Sequence, residues 1–307
     1  MSSPIEEIIA SLSDPDKPLV NSKLAQLSNL SPEELTPLDQ AWESIEAKRR
    51  RQIMSRLIEL AESNFELNFD SIFKSRLKDP DAEVRSTAIE GLWENEETSF
   101  IDPLINMLEQ DSSERVQAVA ATALGKFALL AELKKLRPSH KSRISQALLT
   151  IINTPGKPVE VKRRALEATA PLSLPQIKQA IMEAYHSGNP GLKTSAIFAM
   201  GRSCNSSWLP ILLKELTSGD TELRYEAAGA CGELGEKEAV PYLIELVNDP
   251  DIEVQLVAIK ALGKIGASEA KGCLEQCLDN PNEIVQQAAE QALYELEAGE
   301  EPLSFRF

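Results

Sequence analysis

Asp249-Pro250-Asp251-Ile252-Glu253-Val254, followed by Ala258, Ala261, Leu262 and Gly263, is the stretch whose spacing decides the fold. Counted from Val254, the apolar and small residues stand at +4, +7 and +8, one face of a helix that turns about 100° per residue. Alanine at these places lets two helices approach closely. Asp249 ends a preceding helix, Pro250 cannot continue it, and Asp251 or the acid after it favours a new N-terminus. Gly263 stands where a C-cap is expected. Anchors equivalent to Val254 recur every 31 residues at Val161, Leu192, Leu223 and Val285. Alanine returns four residues on (Ala165, Ala196, Ala227, Ala258, Ala289) and seven on (Ala168, Ala199, Ala230, Ala261, Ala292). A period of this size is the mark of stacked repeats.

A proline stands thirteen residues before several anchors, as Pro103, Pro210 and Pro241, and opens an apolar run such as Ile211-Leu212-Leu213. Each unit therefore reads as helix, tight turn, helix, with no alternation of the kind strands show. Earlier anchors are Val116, which precedes Val161 by 45 residues, then Val84, Ile53 and Val20. The long spacing implies an insertion of about fourteen residues near 126–158. Leu57 and Leu60 follow Ile53, and Leu24 and Leu27 follow Val20, which has Asp14-Pro15-Asp16 before it. The expectation is an all-α, right-handed alpha solenoid (an alpha-alpha superhelix) of about nine helical hairpins. Residues 1–78 are degenerate capping hairpins without the alanines, 79–297 are regular repeats, and 298–307 form a tail.

The run Asp79-Pro80-Asp81-Ala82-Glu83-Val84-Arg85, with Ala88 and Leu92 behind it, resembles the HEAT repeat, most of all the short, alanine-rich kind called the phycobilisome-lyase HEAT-like repeat. The basic residue favoured after the anchor in that family is matched at Arg85, Lys162, Lys193 and Arg224. Glutamine replaces it at Gln117, Gln255 and Gln286, which breaks a continuous ladder of Asp and Arg. The resemblance implies the solenoid fold and a second helix that lines a concave surface. For activity it implies little: a protein-binding scaffold first, a bilin-handling lyase second, and a HEAT-like nucleic-acid binder third.

Charge bears on these choices. The net charge of −16 opposes general nucleic-acid binding, which rewards a basic stripe. It is unevenly spread: residues 126–164 hold ten Lys or Arg against two acids, a net +8, leaving −24 for the remainder. This basic stretch reads either as a docking site for an acidic partner, a phosphorylated segment or RNA, or as a solvated loop that offsets the acidic remainder. The first residues, Met1 to Glu7, lack a basic region followed by an apolar one, so no secretory leader is expected, and no apolar run is long enough to span a membrane. Four cysteines without a disulfide-framework spacing point to a reduced, cytoplasmic setting.

On each second helix the face opposite the core falls at +2, +6 and +9. The +2 row runs Arg163, Thr194, Tyr225, Leu256, Gln287, and the +6 row runs Glu167, Phe198, Gly229, Lys260, Gln291. Phe198, Tyr225 and Leu256 come from three successive repeats, with Arg163, Arg164 and Lys260 at the rim and Gly229 leaving room for a partner helix. These six are the expected partner-binding residues, and the expected partner is an acidic or helical protein.

Catalysis, metal and cofactor are not expected. Cys273 and Cys277 lack further donors, the two histidines His140 and His186 cannot supply a di-iron site of repeated His-Glu pairs, and Gly125, Gly201, Gly232 and Gly263 read as helix ends rather than a phosphate loop. Trp93 and Trp208 read as residues of the seams between repeats. Phe305 and Phe307 read as an apolar peptide or a flap over the last repeat.

Overall fold

The computed structural model describes residues 4–14 and 17–300, and every regular element among them is helical. Pro15, Asp16, Phe305 and Phe307 lie outside the described residues. Nine hairpins are present among the described residues, each an odd-numbered helix followed by an even one. They begin with α1 (Pro4–Ser13) and α2 (Asn21–Leu24), α3 (Pro32–Trp42) and α4 (Ala47–Ser63), α5 (Asp70–Arg76) and α6 (Ala82–Gly91), and α7 (Ile101–Gln110) and α8 (Glu114–Glu132). There follow α9 (Pro138–Asn153) and α10 (Val159–Thr169), α11 (Pro175–Tyr185) and α12 (Pro190–Arg202), and α13 (Leu209–Glu215) and α14 (Thr221–Leu234). The last are α15 (Val240–Leu246) and α16 (Ile252–Ile265), and α17 (Ser268–Cys277) and α18 (Glu283–Glu300).

The chain divides into two compact units, Met1–Phe127 and Ala128–Phe307, with the division inside α8. In the C-terminal unit α10, α12, α14, α16 and α18 pack side by side as one row, with their hairpin mates behind them. In the N-terminal unit α2, α4 and α6 form such a row, and α1, α3 and α5 another. The +4 alanines Ala165, Ala196, Ala227, Ala258 and Ala289 are all completely buried, as the periodicity requires. So are the anchors Val84, Val116, Val161, Val254 and Val285. The first anchor departs from the pattern. Val20 is exposed, because α2 is a single turn that begins after it, and Leu24 and Leu27 fill the core alone.

The turn chemistry follows the sequence at the N-termini. Asp81, Asp220 and Asp251 each cap a second helix by accepting the backbone N–H two residues on, with distances of 2.9–3.0 Å. Asn189 does the same for α12 through the N–H of Leu192. Pro190 and Pro175 sit at first helical positions, where a missing N–H costs nothing.

The C-termini correct an expectation. Gly125 lies well inside α8, and Gly201, Gly232 and Gly263 lie in the last turns of α12, α14 and α16 but do not cap them. The left-handed caps are Gly235 (φ 75°) and Gly266 (φ 68°). In the C-terminal unit the internal glycines are contact points between neighbouring second helices. A Cβ on Gly201 would fall 2.5 Å from Cα of Ala230, and one on Gly232 would fall 2.8 Å from Cα of Ala261. A Cβ on Gly263 would meet Ala292 Cβ at 2.8 Å. The glycine at +9 of one repeat thus receives the alanine at +7 of the next, and the +9 row is a packing row rather than a solvent row.

Residues 126–158 are mostly helical rather than one loop, with short connections at 133–137 and 154–158. The extra length is spent on the end of α8 and on α9, whose Ile144, Leu148 and Ile151 are buried.

Candidate functional site

The row of second helices in the C-terminal unit carries the six residues singled out from the sequence. Tyr225 on α14 is 41% exposed, Lys260 on α16 is exposed, and Phe198 on α12 and Leu256 on α16 are half-buried. The Arg202 guanidinium lies over the Phe198 ring, 5.5 Å from its centroid, which holds the ring at the surface under a cation. Gly229 leaves ordinary space, with Val257 as its neighbour across the helix pair.

The two arginines are tied into a local network. Arg163 donates from Nε to Ser195 Oγ at 3.1 Å, Ser195 donates to Glu167 Oε1 at 2.6 Å, and Arg163 also pairs with Glu160 at 3.2 Å. Arg164 pairs with Glu160 and with Glu167, both at 2.8 Å. This network joins α10 to α12 and fixes both guanidinium groups. Part of the positive charge assigned to the rim is therefore already balanced by Glu160 and Glu167.

Glu226 of α14 is half-buried beside them. Burial first, then the Glu167 and Glu222 carboxylates, push it up to about 7, against the opposing pull of Arg163. A carboxyl whose folded pKa lies above its unfolded value binds its proton more tightly in the native state. Its contribution is most favourable below the ordinary glutamate range and is lost as pH rises through about 7. Glu226→Gln should therefore change stability little near pH 4 and raise it by about 1–2 kcal/mol above pH 7. Urea titrations at both pH values check this, and an equal effect at the two would refute the burial argument.

Part of the basic segment is committed within each unit. In the C-terminal unit Lys141 pairs with Glu132 at 2.7 Å. In the N-terminal unit Lys126 donates to the carbonyls of Trp93 at 2.7 Å and Asn95 at 2.5 Å, closing the loop after α6. Burial pulls its pKa below that of an ordinary lysine.

That loop borders a second candidate, absent from the sequence-based expectation. A pocket of about 510 Å³ lies in the N-terminal unit between the C-terminal ends of α4 and α6 and the middle of α8. Its walls are mainly Ile58, Ile89, Leu92, Phe100, Val119 and Phe127. Trp93 stands at its edge and is 64% exposed, so it is not a seam residue, whereas Trp208 is buried as expected. The signal for this site lies in the repeat phase. Trp93 occupies +9 of the Val84 repeat, the place of the packing glycines. α6 stops at Gly91 after ten residues, so Trp93 falls beyond its end, whereas α12 and α14 run thirteen and fourteen. The missing turn leaves Ala123, the +7 alanine of the next repeat, on the pocket wall, without the glycine cover that Ala230 and Ala261 have.

Cys277 is buried and Cys273 half-buried, one helical turn apart on α17. Among the described residues no three His, Cys, Asp or Glu side chains come together as a metal-holding group, and no helix is long and apolar enough to cross a membrane.

The sequence matches no curated protein. Among solved structures, the complex of CpcE and CpcF of phycocyanin lyase from Nostoc sp. is 18% identical with a TM-score of 0.51, over 75% of this chain and 94% of that one. The Escherichia coli protein YibA is 16% identical with a TM-score of 0.47, over 82% and 98%. Human deoxyhypusine hydroxylase is 18% identical with a TM-score of 0.32, over 96% of each chain. At these identities the first likeness speaks for the fold alone, and the other two are too distant to carry an argument. The family model for HEAT repeats matches residues 71–143 and 209–294, more than half of the chain. With nine helical hairpins and an alanine-lined contact at each repeat of the C-terminal unit, the chain belongs to the HEAT-repeat proteins.

Proposed function

We propose that the chain is a non-catalytic scaffold, acting in the cytoplasm, that holds another protein on the second-helix row of its C-terminal unit. The observation that carries this is the succession of partly exposed Phe198, Tyr225 and Leu256 on α12, α14 and α16, three helices packed in one row. Such a row offers rigid aromatic and aliphatic anchoring at low entropic cost. Lys260 and the outer edges of Arg163 and Arg164 would orient an acidic or helical partner, with Glu160 and Glu167 tempering that preference. Bilin handling is the weaker alternative, since the likeness to the phycocyanin lyase pair is one of fold.

The test is affinity capture with the wild-type protein and with the Phe198→Glu, Tyr225→Glu double variant, at low and high salt. A protein retained at both salts by the wild type should bind the double variant about a hundredfold or more weakly, with circular dichroism unchanged. Equal capture by a folded double variant would discard the site. Recovery of nucleic acid at low salt only would discard the scaffold reading in favour of phosphate binding.

A further inference from the structure

The pocket in the N-terminal unit has an apolar floor and an acidic rim, and that combination specifies a ligand. Ile89, Leu92, Phe100 and Phe127 are buried beneath it, while Trp93 leans out beside it. Glu62 at the end of α4 and Glu90 at the end of α6 both line it. Glu94 and Glu96 follow Trp93 and are exposed. Burial pushes Glu90 up, and Arg115 relieves it only from 4.0 Å.

The cations near this edge are occupied. Lys126 is spent on the carbonyls of Leu92, Trp93 and Asn95, and Lys74 pairs with Glu97 at 2.7 Å. Glu62 and Glu90 thus line the apolar hollow, and Glu94 and Glu96 stand exposed in the loop after Trp93, where they act on the Lys126 ammonium and outnumber it. A further aromatic, Phe65, lies three residues beyond Glu62 and is 96% exposed. A small ligand seated in about 510 Å³ would leave Phe65 uncovered, whereas an extended partner would reach it.

We infer that this pocket is a second docking site, separate from the second-helix row of the C-terminal unit, for a basic amphipathic helix of a partner protein. One apolar side chain of that helix enters the hollow against Trp93, and its lysines or arginines meet Glu62, Glu90, Glu94 and Glu96. The preference is opposite in sign to that of the C-terminal site. The two sites suit a scaffold that holds two segments of unlike charge.

The probe is a synthetic helix with leucines on one face and lysines on the other. Its counterpart carries glutamates in place of the lysines. Trp93 is the reporter, because Trp42 and Trp208 are buried. The lysine helix should bind saturably and shift tryptophan emission to the blue, and the glutamate helix should not. Trp93→Ala, read by the anisotropy of a dye-labelled lysine helix because it lacks the reporter, should weaken binding about tenfold or more, and Glu62→Gln with Glu90→Gln by a similar factor. Both changes sit at exposed positions and should leave helicity intact. Phe198→Glu with Tyr225→Glu should leave the affinity unchanged, so the two sites fail or stand separately. No binding of the lysine helix, equal binding of the glutamate helix, or equal affinity in Trp93→Ala would each overturn the inference. Saturation by a neutral apolar dye, undisplaced by the lysine helix, would do so in favour of a small-molecule pocket.

Discussion

Gly201→Leu should destabilise the protein by about 3 kcal/mol or more, although the same change in an exposed helix would gain about 1 kcal/mol from propensity alone. The cost comes from the neighbouring helix. The new Cβ would lie 2.5 Å from Cα and 2.7 Å from Cβ of Ala230, so the obstacle is backbone, and no rotamer relieves it. Helices α12 and α14 would have to separate along their length, uncovering Ala196, Ala199 and Ala227, all of them fully buried. In a repeat array each interface is a nearest-neighbour term, so the loss concentrates at this seam and unfolding should become less cooperative. Gly272 supplies the control. It lies inside α17, where an added Cβ would meet no atom within 4 Å, and Gly272→Ala should stabilise by about 0.5–1 kcal/mol. Urea denaturation followed by circular dichroism measures both. If Gly201→Leu and Gly272→Ala shifted the midpoint in the same direction, the close contact of α12 and α14 would be refuted.

The same contact explains what can and cannot be read from the sequence. The 31-residue spacing and the +4 and +7 alanines are local and periodic, and helical geometry turns them directly into a buried stripe. The direction of the +9 position is different. On an isolated helix it opposes the core and looks exposed, but in a row of helices the lateral neighbour takes that space. Glycine at +9 therefore reads as an end signal, when it marks the closest approach between repeats. Trp93, at the same place, reads as seam filling. Placing it outside requires knowing that α6 ends at Gly91 and leaves the indole exposed beyond it. The basic stretch misleads for a related reason. Charge can be counted in a sequence, but Lys126 reaches back more than thirty residues to cap a loop, and no local rule gives that pairing. Phe198, Tyr225 and Leu256 follow from helical phase alone, and each keeps part of its side chain open to solvent.

The interrupted ladder of Asp and Arg leads to the second large effect. Arg224 does two things at once. It donates from one nitrogen to the carbonyl of Ser218 in its own loop at 2.9 Å, and from two others to both oxygens of Asp249 in the next repeat, at 2.7 and 2.9 Å. Arg85 repeats this in the N-terminal unit, bonding Asp79 O and both oxygens of Asp111. Gln117, Gln255 and Gln286 perform the first task, bonding the carbonyls of Asp111, Asp249 and Asn280 at 2.5–2.6 Å. Where Gln255 has lost the forward reach, the residue in the next loop is Asn280, not aspartate. Its Oδ1 still accepts the N–H of Asn282 at 2.9 Å, as Asp249 accepts that of Asp251. The chain thus retains a buried carboxylate where a cation reaches it: Asp79 is met by Arg50 at 3.4 Å and by the Trp42 indole at 2.7 Å.

Arg224→Gln alone should therefore cost about 2–4 kcal/mol, because it strands the buried carboxylate of Asp249. Combined with Asp249→Asn it should cost about 1 kcal/mol, since the pair then reproduces Gln255 and Asn280. The acid dependence has a definite sign. The Arg224 guanidinium holds Asp249 below the usual carboxylate range, so its contribution is full above the unfolded aspartate pKa and is lost as pH falls through the lower, folded value. The double variant should lack that part of the acid sensitivity. A double-mutant cycle in urea at neutral and acidic pH tests both statements. Strict additivity of the two single changes would mean that Arg224 and Asp249 do not act as a pair between repeats.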